Sequence, residues 1–302
     1  MKLRMKNLLL LLVLCLSLVA FAACGSDEPA EDATTDETAT TQTETTGDYV
    51  ELEENLGAEE YGIGFRNEDV ALGMEVQKHL DDMIADGTAA EISQKWFGED
   101  ALIADADYME DTTIAEDDTS LTDLQERGTL IVGLDASFPP MGYMDDNNEI
   151  VGFDVDLAKE VAARMNVELE LKPIEWDAKE MELTSGNIDC IWNGMTITDE
   201  RVENMFIAKP YLANAQIVIV AADSGITTLA DMDGKVVGLQ KESSAKEALD
   251  ANTEVAESVS EVREFDNNLN AYLDLQSGRI DCFVVDKVVG EYILTNGTSV
   301  FE

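Results

Sequence analysis

The 302-residue sequence predicts an α/β fold with mainly parallel sheets, shared between two lobes. Three observations carry that expectation. The length exceeds what a single hydrophobic core usually serves. Short apolar runs of strand length alternate with stretches of helical period, the pattern of parallel sheets with helical crossovers. A six-residue echo, Ser185-Gly-Asn-Ile-Asp-Cys190 and Ser277-Gly-Arg-Ile-Asp-Cys282, twice follows a helix-like stretch and twice leads into an apolar strand. Two similarly built lobes would show such an echo.

Taken in order, Met1 to Ala23 has a basic start (Lys2, Arg4, Lys6) and the apolar run Leu8–Leu18. This run is too short for a stop-transfer helix and predicts a signal peptide over 1–23. Phe21-Ala22-Ala23-Cys24-Gly25-Ser26 resembles a bacterial lipobox, with Phe21 where a Leu-like residue is usual. Cys24 is then the lipidated N-terminus, an acyl tether and not a spanning helix. Ordinary cleavage after Ala23, leaving a free Cys, is the alternative. Residues 24–48 are rich in Thr, Glu and Asp with no large apolar side chain before Tyr49, so they predict a disordered, self-repelling spacer.

Beyond the spacer, Leu72, Val76, Leu80, Met83 and Ile84 share one helical face over 69–86. Gly87 is placed to stop that helix, and Thr88 to cap a short helix to Trp96. Residues 99–117 are acidic and predict a connector. Thr129–Leu134 is an apolar strand, followed by a loop with Pro139-Pro140. Asp154 is placed to cap a helix with Leu157, Val161 and Met165 on one face. Strand-like Leu169–Ile174 follows.

Composition excludes some classes. The formal net charge of −45 repels nucleic acid and anionic headgroups. With one histidine, His79, and Cys190 and Cys282 embedded in apolar runs, there is no ligand set for structural zinc. Those two cysteines are expected as buried, unpaired thiols on equivalent strands of different lobes. No cofactor is implied.

The stretches RGTLIVGLDASFPPMGY, GFDVDLAKEVAARM, SGNIDCIWNGMTITDER, MDGKVVGLQKESSAKEAL and SGRIDCFVVDKVVGEY lie within 127–289. As an ordered set they resemble the bacterial extracellular solute-binding proteins of family 3, the amino-acid receptors of ABC importers. Residues 59–98 resemble the segment with which that family ends, yet here they come first. The resemblance implies a two-lobed, type II periplasmic-binding-protein-like fold, each lobe a sheet flanked by helices, in a circularly permuted order. Lobe one is expected from 65–98 plus 118–211, and lobe two from 49–61 plus 213–302. The connector 99–117 would join the ancestral termini. Because the sequence ends at Glu302 with no second copy of 49–98, it is read as a permutation and not a tandem repeat. Tyr49–Leu52 is expected in lobe two beside Val300.

A free amino acid carries a carboxylate and an ammonium, and each needs a partner when it leaves water. Arg201 can bind both carboxylate oxygens at once and sits just inside a helix start, where free N–H groups also favour an anion. On its own residues it could equally be a surface Arg offsetting Asp199 and Glu200; the resemblance gives it the carboxylate role. Asp286, at a strand end, takes the ammonium by the same resemblance, from the other lobe. Asn193, Gly194 and Thr196 are implied in bonds to the ligand's polar ends, as are Ser243 and Ser244. The family usually has Gly before that Ser pair, whereas this chain has Glu242. Phe138 and Trp176 match aromatic positions that sandwich the ligand side chain.

The function expected is binding of an amino acid by a lipid-anchored, extracytoplasmic monomer that serves an ABC permease. A cyclohexadienyl-type dehydratase and a ligand-sensing lipoprotein that feeds a separate receptor are the alternatives on the same fold.

Overall fold

The computed structural model describes residues 48–104 and 112–297. The expected signal peptide, Cys24, the spacer before Asp48 and Val300 lie outside the described residues, as does part of the connector. Among the described residues no helix is long and apolar enough to cross a membrane.

The chain opens with strands β1 (Tyr49–Glu51) and β2 (Gly57–Phe65), then helices α1 (Val70–Asp86), α2 (Thr88–Phe97) and α3 (Ser120–Arg127). Next come β3 (Thr129–Leu134), a small sheet of β4 (Ser137–Phe138), β5 (Gly142–Met144) and β6 (Ile150–Val151), then α4 (Phe153–Met165). After these lie β7 (Glu168–Pro173), α5 (Lys179–Thr184), β8 (Cys190–Thr196), α6 (Asp199–Asn204), β9 (Phe206–Ile207) and β10 (Leu212–Ala221). The rest is β11 (Val236–Gln240), α7 (Ser244–Ala251), α8 (Thr253–Ser258), β12 (Glu261–Phe265), α9 (Asn268–Gln276), β13 (Cys282–Asp286) and α10 (Lys287–Asn296).

The main sheet runs β12-β11-β13-β10-β2-β8-β3-β7, with β1 also on β10 and β9 also on β2. β7, β3 and β8 are parallel to one another, and so are β12, β11 and β13. Between these two groups lie β10 and β2, each antiparallel to its neighbours. Each parallel group has its first strand in the middle, its second outside and its third inside. The two halves are therefore built alike, and the central antiparallel pair joins them.

The sequence echo has a local physical basis. In each copy the helix before it ends in a left-handed glycine, Gly186 (φ 74°) or Gly278 (φ 68°), a conformation that glycine adopts without steric cost. The Asp of each copy then binds the first strand of its half through both main chain and side chain. Asp189 N–H donates to Ile131 O at 2.8 Å, and its Oδ2 accepts from Ile131 N–H at 2.7 Å. Asp281 makes the same pair of bonds to Val236, both 2.8 Å. The Ile of each copy lies over a strand glycine: a Cβ on Gly133 would come within 2.4 Å of Ile188, and one on Gly238 within 2.4 Å of Ile280. Cys190 and Cys282, one residue further on, are free and buried.

Residues 57–98 are fully docked. Phe65, Leu72, Val76, Leu80 and Met83 belong to the same core cluster as Phe153, Leu157 and Val161 of α4. Trp96 Nε1 donates to Asp156 at 2.9 Å, fixing α2 on α4, and Asp118 and Ser120 accept from the main-chain N–H groups of Ala71 and Leu72. β1 pairs with β10 in the register Tyr49↔Ala221.

Two expected caps are corrected. Asp154 does not cap α4: Gly152 precedes that helix, and Asp154 turns inward, buried, to accept from Gly194 N–H and the Tyr211 hydroxyl. Thr88 does not cap α2 either; it is the first helical residue, and Asp86 accepts from its main chain and hydroxyl. In both places the side chain found a stronger partner than its own helix end.

Candidate functional site

Ligands of open α/β sheets bind beyond the carboxyl ends of the strands. Here the carboxyl ends of β3, β8, β11 and β13 converge. Asn193, Gly194 and Thr196 are on β8, Asp286 closes β13, and Gln240 closes β11. Phe138, Trp176, Asn193, Gly194, Thr196, Arg201, Ser243, Ser244 and Asp286 all line one cleft, which has about 260 Å³ of empty space. Gln240 joins them, and sequence reasoning missed it.

Arg201 is 5% exposed and is positioned from both ends. Its main-chain N–H donates to Thr198 Oγ1, the cap of α6. Its Nη1 donates to Thr196 O at 2.8 Å and its Nη2 reaches Glu242 O at 3.4 Å. The guanidinium lies 5.9 Å from the Trp176 ring centre, within cation–π range. Burial lowers its proton affinity, while the charges of Glu247, Glu59 and Asp286 oppose that.

Asp286 is also 5% exposed. Its Oδ1 accepts from Tyr61 Oη at 2.7 Å and from Asn214 Nδ2 at 2.9 Å. Burial first, then the charge of Glu59, pushes its carboxyl well above the usual range. Among the described residues no ion pair joins Arg201 to Asp286. The cleft thus presents a cation on one side and an acid on the other, each held by neutral donors and acceptors.

Other bonds span the cleft. Thr196 and Ser244 hydroxyls meet at 2.9 Å, Gln240 donates to Asp135 at 2.8 Å, and Lys241 pairs with Asp177 at 2.8 Å. Lys179 is buried over Trp176, and its Nζ donates to Glu242 O at 3.0 Å. Burial, then the nearby Arg201 charge, lowers its pKa to about 8. Glu242 sits at φ +53°, the left-handed region where glycine is favoured. The loop therefore keeps the path a glycine would give it, at a cost of about 1–2 kcal/mol.

Not every implied contact is free for a ligand. The Gly194 N–H is committed to Asp154 at 2.7 Å, and the Ser243 hydroxyl donates to Gln240 O at 2.7 Å. Gly194 itself is required by close approach: its φ is +56°, and an added Cβ would stand 2.9 Å from Phe138 and 3.0 Å from Tyr61. Tyr61 and Asn214 hold Asp286, and Gln216 donates to Ser244; all three were also missed by sequence reasoning. The available signal was two amides, Asn214 and Gln216, two residues apart on an otherwise apolar strand.

Comparison with known proteins gives a consistent picture. The pattern of the bacterial extracellular solute-binding proteins, family 3, matches residues 130–276. The chain is 35% identical over 174 residues to the L-cystine-binding protein TcyJ of Escherichia coli (strain K12), a match covering 57% of this chain and 64% of TcyJ. Among solved structures it is similar to an ABC uptake transporter substrate-binding protein from Streptococcus pneumoniae with bound histidine. There the TM-score is 0.58 and identity 36%, covering 61% of this chain and 76% of that one. It is also similar to the ancestral amino-acid-binding protein AncCDT-1, a precursor of cyclohexadienyl dehydratase. That match has a TM-score of 0.55 and 33% identity, covering 58% of this chain and 78% of the other.

Beneath the cleft, Asp154 supports both Gly194 and Tyr211, and burial raises its pKa to about 7. An unfolded Asp titrates near 3.9. Between roughly pH 4 and pH 7 the unfolded chain has therefore released a proton that the folded chain retains, so stability falls as pH rises through that window. Asp86 and Asp231, held down to about 2, act below it with the opposite sign. Thermal melts of the ligand-free protein from pH 4 to 8 are expected to show the advantage of wild type over Asp154→Asn shrinking as pH rises. A constant difference would contradict the buried, protonated Asp154.

Proposed function

The chain belongs to the bacterial extracellular solute-binding proteins, family 3, and from that premise we propose that it binds one amino acid in this cleft and delivers it to an ABC-type permease. Its fold is the two-lobed type II periplasmic-binding-protein fold. The observation that carries the reading is the opposition of buried Arg201 and buried Asp286 across the cleft. A zwitterion bridges them: its carboxylate takes the fork of Arg201, which binds both oxygens, and its ammonium takes Asp286. Thr196 and Ser244 add hydroxyls beside Arg201, and Phe138 and Trp176 form apolar walls for the side chain. Hinge closure of the two lobes would present the loaded form to the permease.

The order of segments is part of this reading. The match covers 64% of TcyJ and leaves the rest of that protein unmatched, while residues 57–98 supply β2, α1 and α2 from the front of the chain. We read this as a circular permutation, with 65–98 plus 118–211 in lobe one and 49–61 plus 213–302 in lobe two. β2 and β10 then form the two crossings between lobes, and residues 99–117 join the ancestral ends. A signal peptide over 1–23 and a lipid on Cys24 would hold the protein at the outer face of the membrane, on the spacer 24–48, as a monomer.

The similarity to AncCDT-1 keeps a second reading, dehydration of a cyclohexadienyl acid, with a buried protonated carboxyl such as Asp286 as proton donor. Turnover of prephenate by the purified protein would favour it.

Calorimetry against L-cystine and the twenty common amino acids, one at a time, is expected to find at least one binder. Arg201→Ala should weaken it by about 3 kcal/mol or more, over 100-fold, because the ligand carboxylate is left buried without its partner. Binding by none, or full binding by Arg201→Ala, would contradict the reading. The permutation has its own test. A gene rearranged so that 118–302 precede 49–98 should give a monomeric protein with unchanged affinity, whereas failure to fold would argue that the present order is required.

A further inference from the structure

Glu59, on β2, was not among the residues expected at the site. It stands opposite Asn214 of β10 in the antiparallel register, and Tyr61 lies two residues on, on the same face. Its Oε1 accepts from Asn214 Nδ2 at 2.6 Å and from Gln216 Nε2 at 2.8 Å. The same Asn214 amide nitrogen donates to Asp286 Oδ1 at 2.9 Å. One NH₂ group therefore clamps two carboxyl groups together, and of the two Asp286 is the one that lines the cleft. The Tyr61 hydroxyl closes the cluster on Asp286, its ionisation pushed well up by burial and by Asp286. Two carboxylates so placed repel each other, and a shared proton relieves that repulsion.

We propose that Glu59 and Asp286 form a single receptor for the ligand ammonium, which holds one proton in the empty cleft and releases it when the ammonium arrives. This rests on the amino-acid reading above. The balance is simple: the carboxyl O–H ionises, its proton passes to solvent, and the ligand –NH₃⁺ neutralises the pair from the cleft side, at Asp286. Glu59 is then a specificity-determining residue. It makes the empty site unfavourable for two bare carboxylates and so favours a full positive charge over a neutral donor at that position.

The other charged groups nearby do not supply this neutralisation. Arg201, from α6, is the cation that faces the cluster, and its guanidinium is engaged with Thr196 O and Glu242 O. On α7, Lys246 pairs with Asp250. On α10, Lys287 pairs with Glu291. After β11, Lys241 pairs with Asp177 and Asp266. From β10 the cluster meets only the neutral amides of Asn214 and Gln216. Burial and the Glu59 charge together raise Asp286, in agreement with a retained proton at neutral pH.

Two measurements test this on the folded protein. In the ligand-free protein, carboxyl-carbon NMR should show, besides Asp154, a second buried carboxyl that still holds its proton at pH 7, absent from the spectrum of Asp286→Asn and with its titration moved towards acid in Glu59→Gln. Calorimetry with L-cystine and the twenty common amino acids, in phosphate and in Tris, should show about one proton released per amino acid bound at pH 7. Affinity should weaken about tenfold for each pH unit by which the solution is taken below the pair's titration. Glu59→Gln should still bind, with less proton release and a pH dependence shifted to acid; an unchanged melting profile confirms its fold. Amino-acid binding without proton release, or the same release from Glu59→Gln, would overturn the proposal. A retained proton in a protein that binds no amino acid would overturn the amino-acid reading on which the proposal stands.

Discussion

A buried guanidinium and a buried carboxyl group face each other across a narrow cleft without touching, and the rest of the structure is arranged around keeping them so. Taking Arg201 and Asp286 out of water is expensive unless each is held by partners. The partners are local: Thr196 O, the α6 start and the Trp176 face for Arg201, and Tyr61 and Asn214 for Asp286. Each group is satisfied as far as neutral groups allow, Arg201 also reaching Glu242 O from the other half. What remains unsatisfied is one opposite charge apiece, which is the chemistry of an α-amino acid.

The scaffold supplies this opposition by building the same unit twice. Each half puts its first parallel strand in the centre and its third on the inside, and each starts that third strand with the same Asp and Ile contacts. The inner strands β8 and β13 therefore deliver their carboxyl ends to the cleft from opposite directions. β2 and β10 run between them, and because they connect the halves they also carry the residues beside Asp286. Glu59, Tyr61, Asn214 and Gln216 all lie on these two strands. A motion of the halves about them would alter the environment of the ammonium side directly.

Much of the architecture was legible in the sequence, for reasons that particular elements make plain. The α1 face of Leu72, Val76, Leu80 and Met83 has helical period and is buried as a unit. The SGNID and SGRID echo announced two like halves because turn, strand start and underlying glycine are all local features. Arg201 was legible through the family resemblance and not through its own neighbours; the helix start beside it is retained, with Thr198 as the cap. The helix starts were less so. Asp154 and Thr88 have the composition of caps, but Asp154 took tertiary partners and Thr88 bonds to Asp86 two residues before it. Glu59 and Gln240 were invisible for a different reason. Their roles depend on register between strands far apart in sequence, Glu59 beside Asn214 and Gln240 against Asp135, and no local period encodes that. Glu242 adopts the left-handed conformation that the family's glycine would favour, which its residue type does not announce.

The central claim is that the cleft recognises a zwitterion by one charge from each lobe. The most direct measurement is a crystal structure of the protein grown with the amino acid that binds most tightly. The account predicts the α-carboxylate on the guanidinium of Arg201 and the α-ammonium at about 3 Å from Asp286, hydrogen-bond distance. An amino acid bound with its ends reversed, or seated away from either residue, would contradict it.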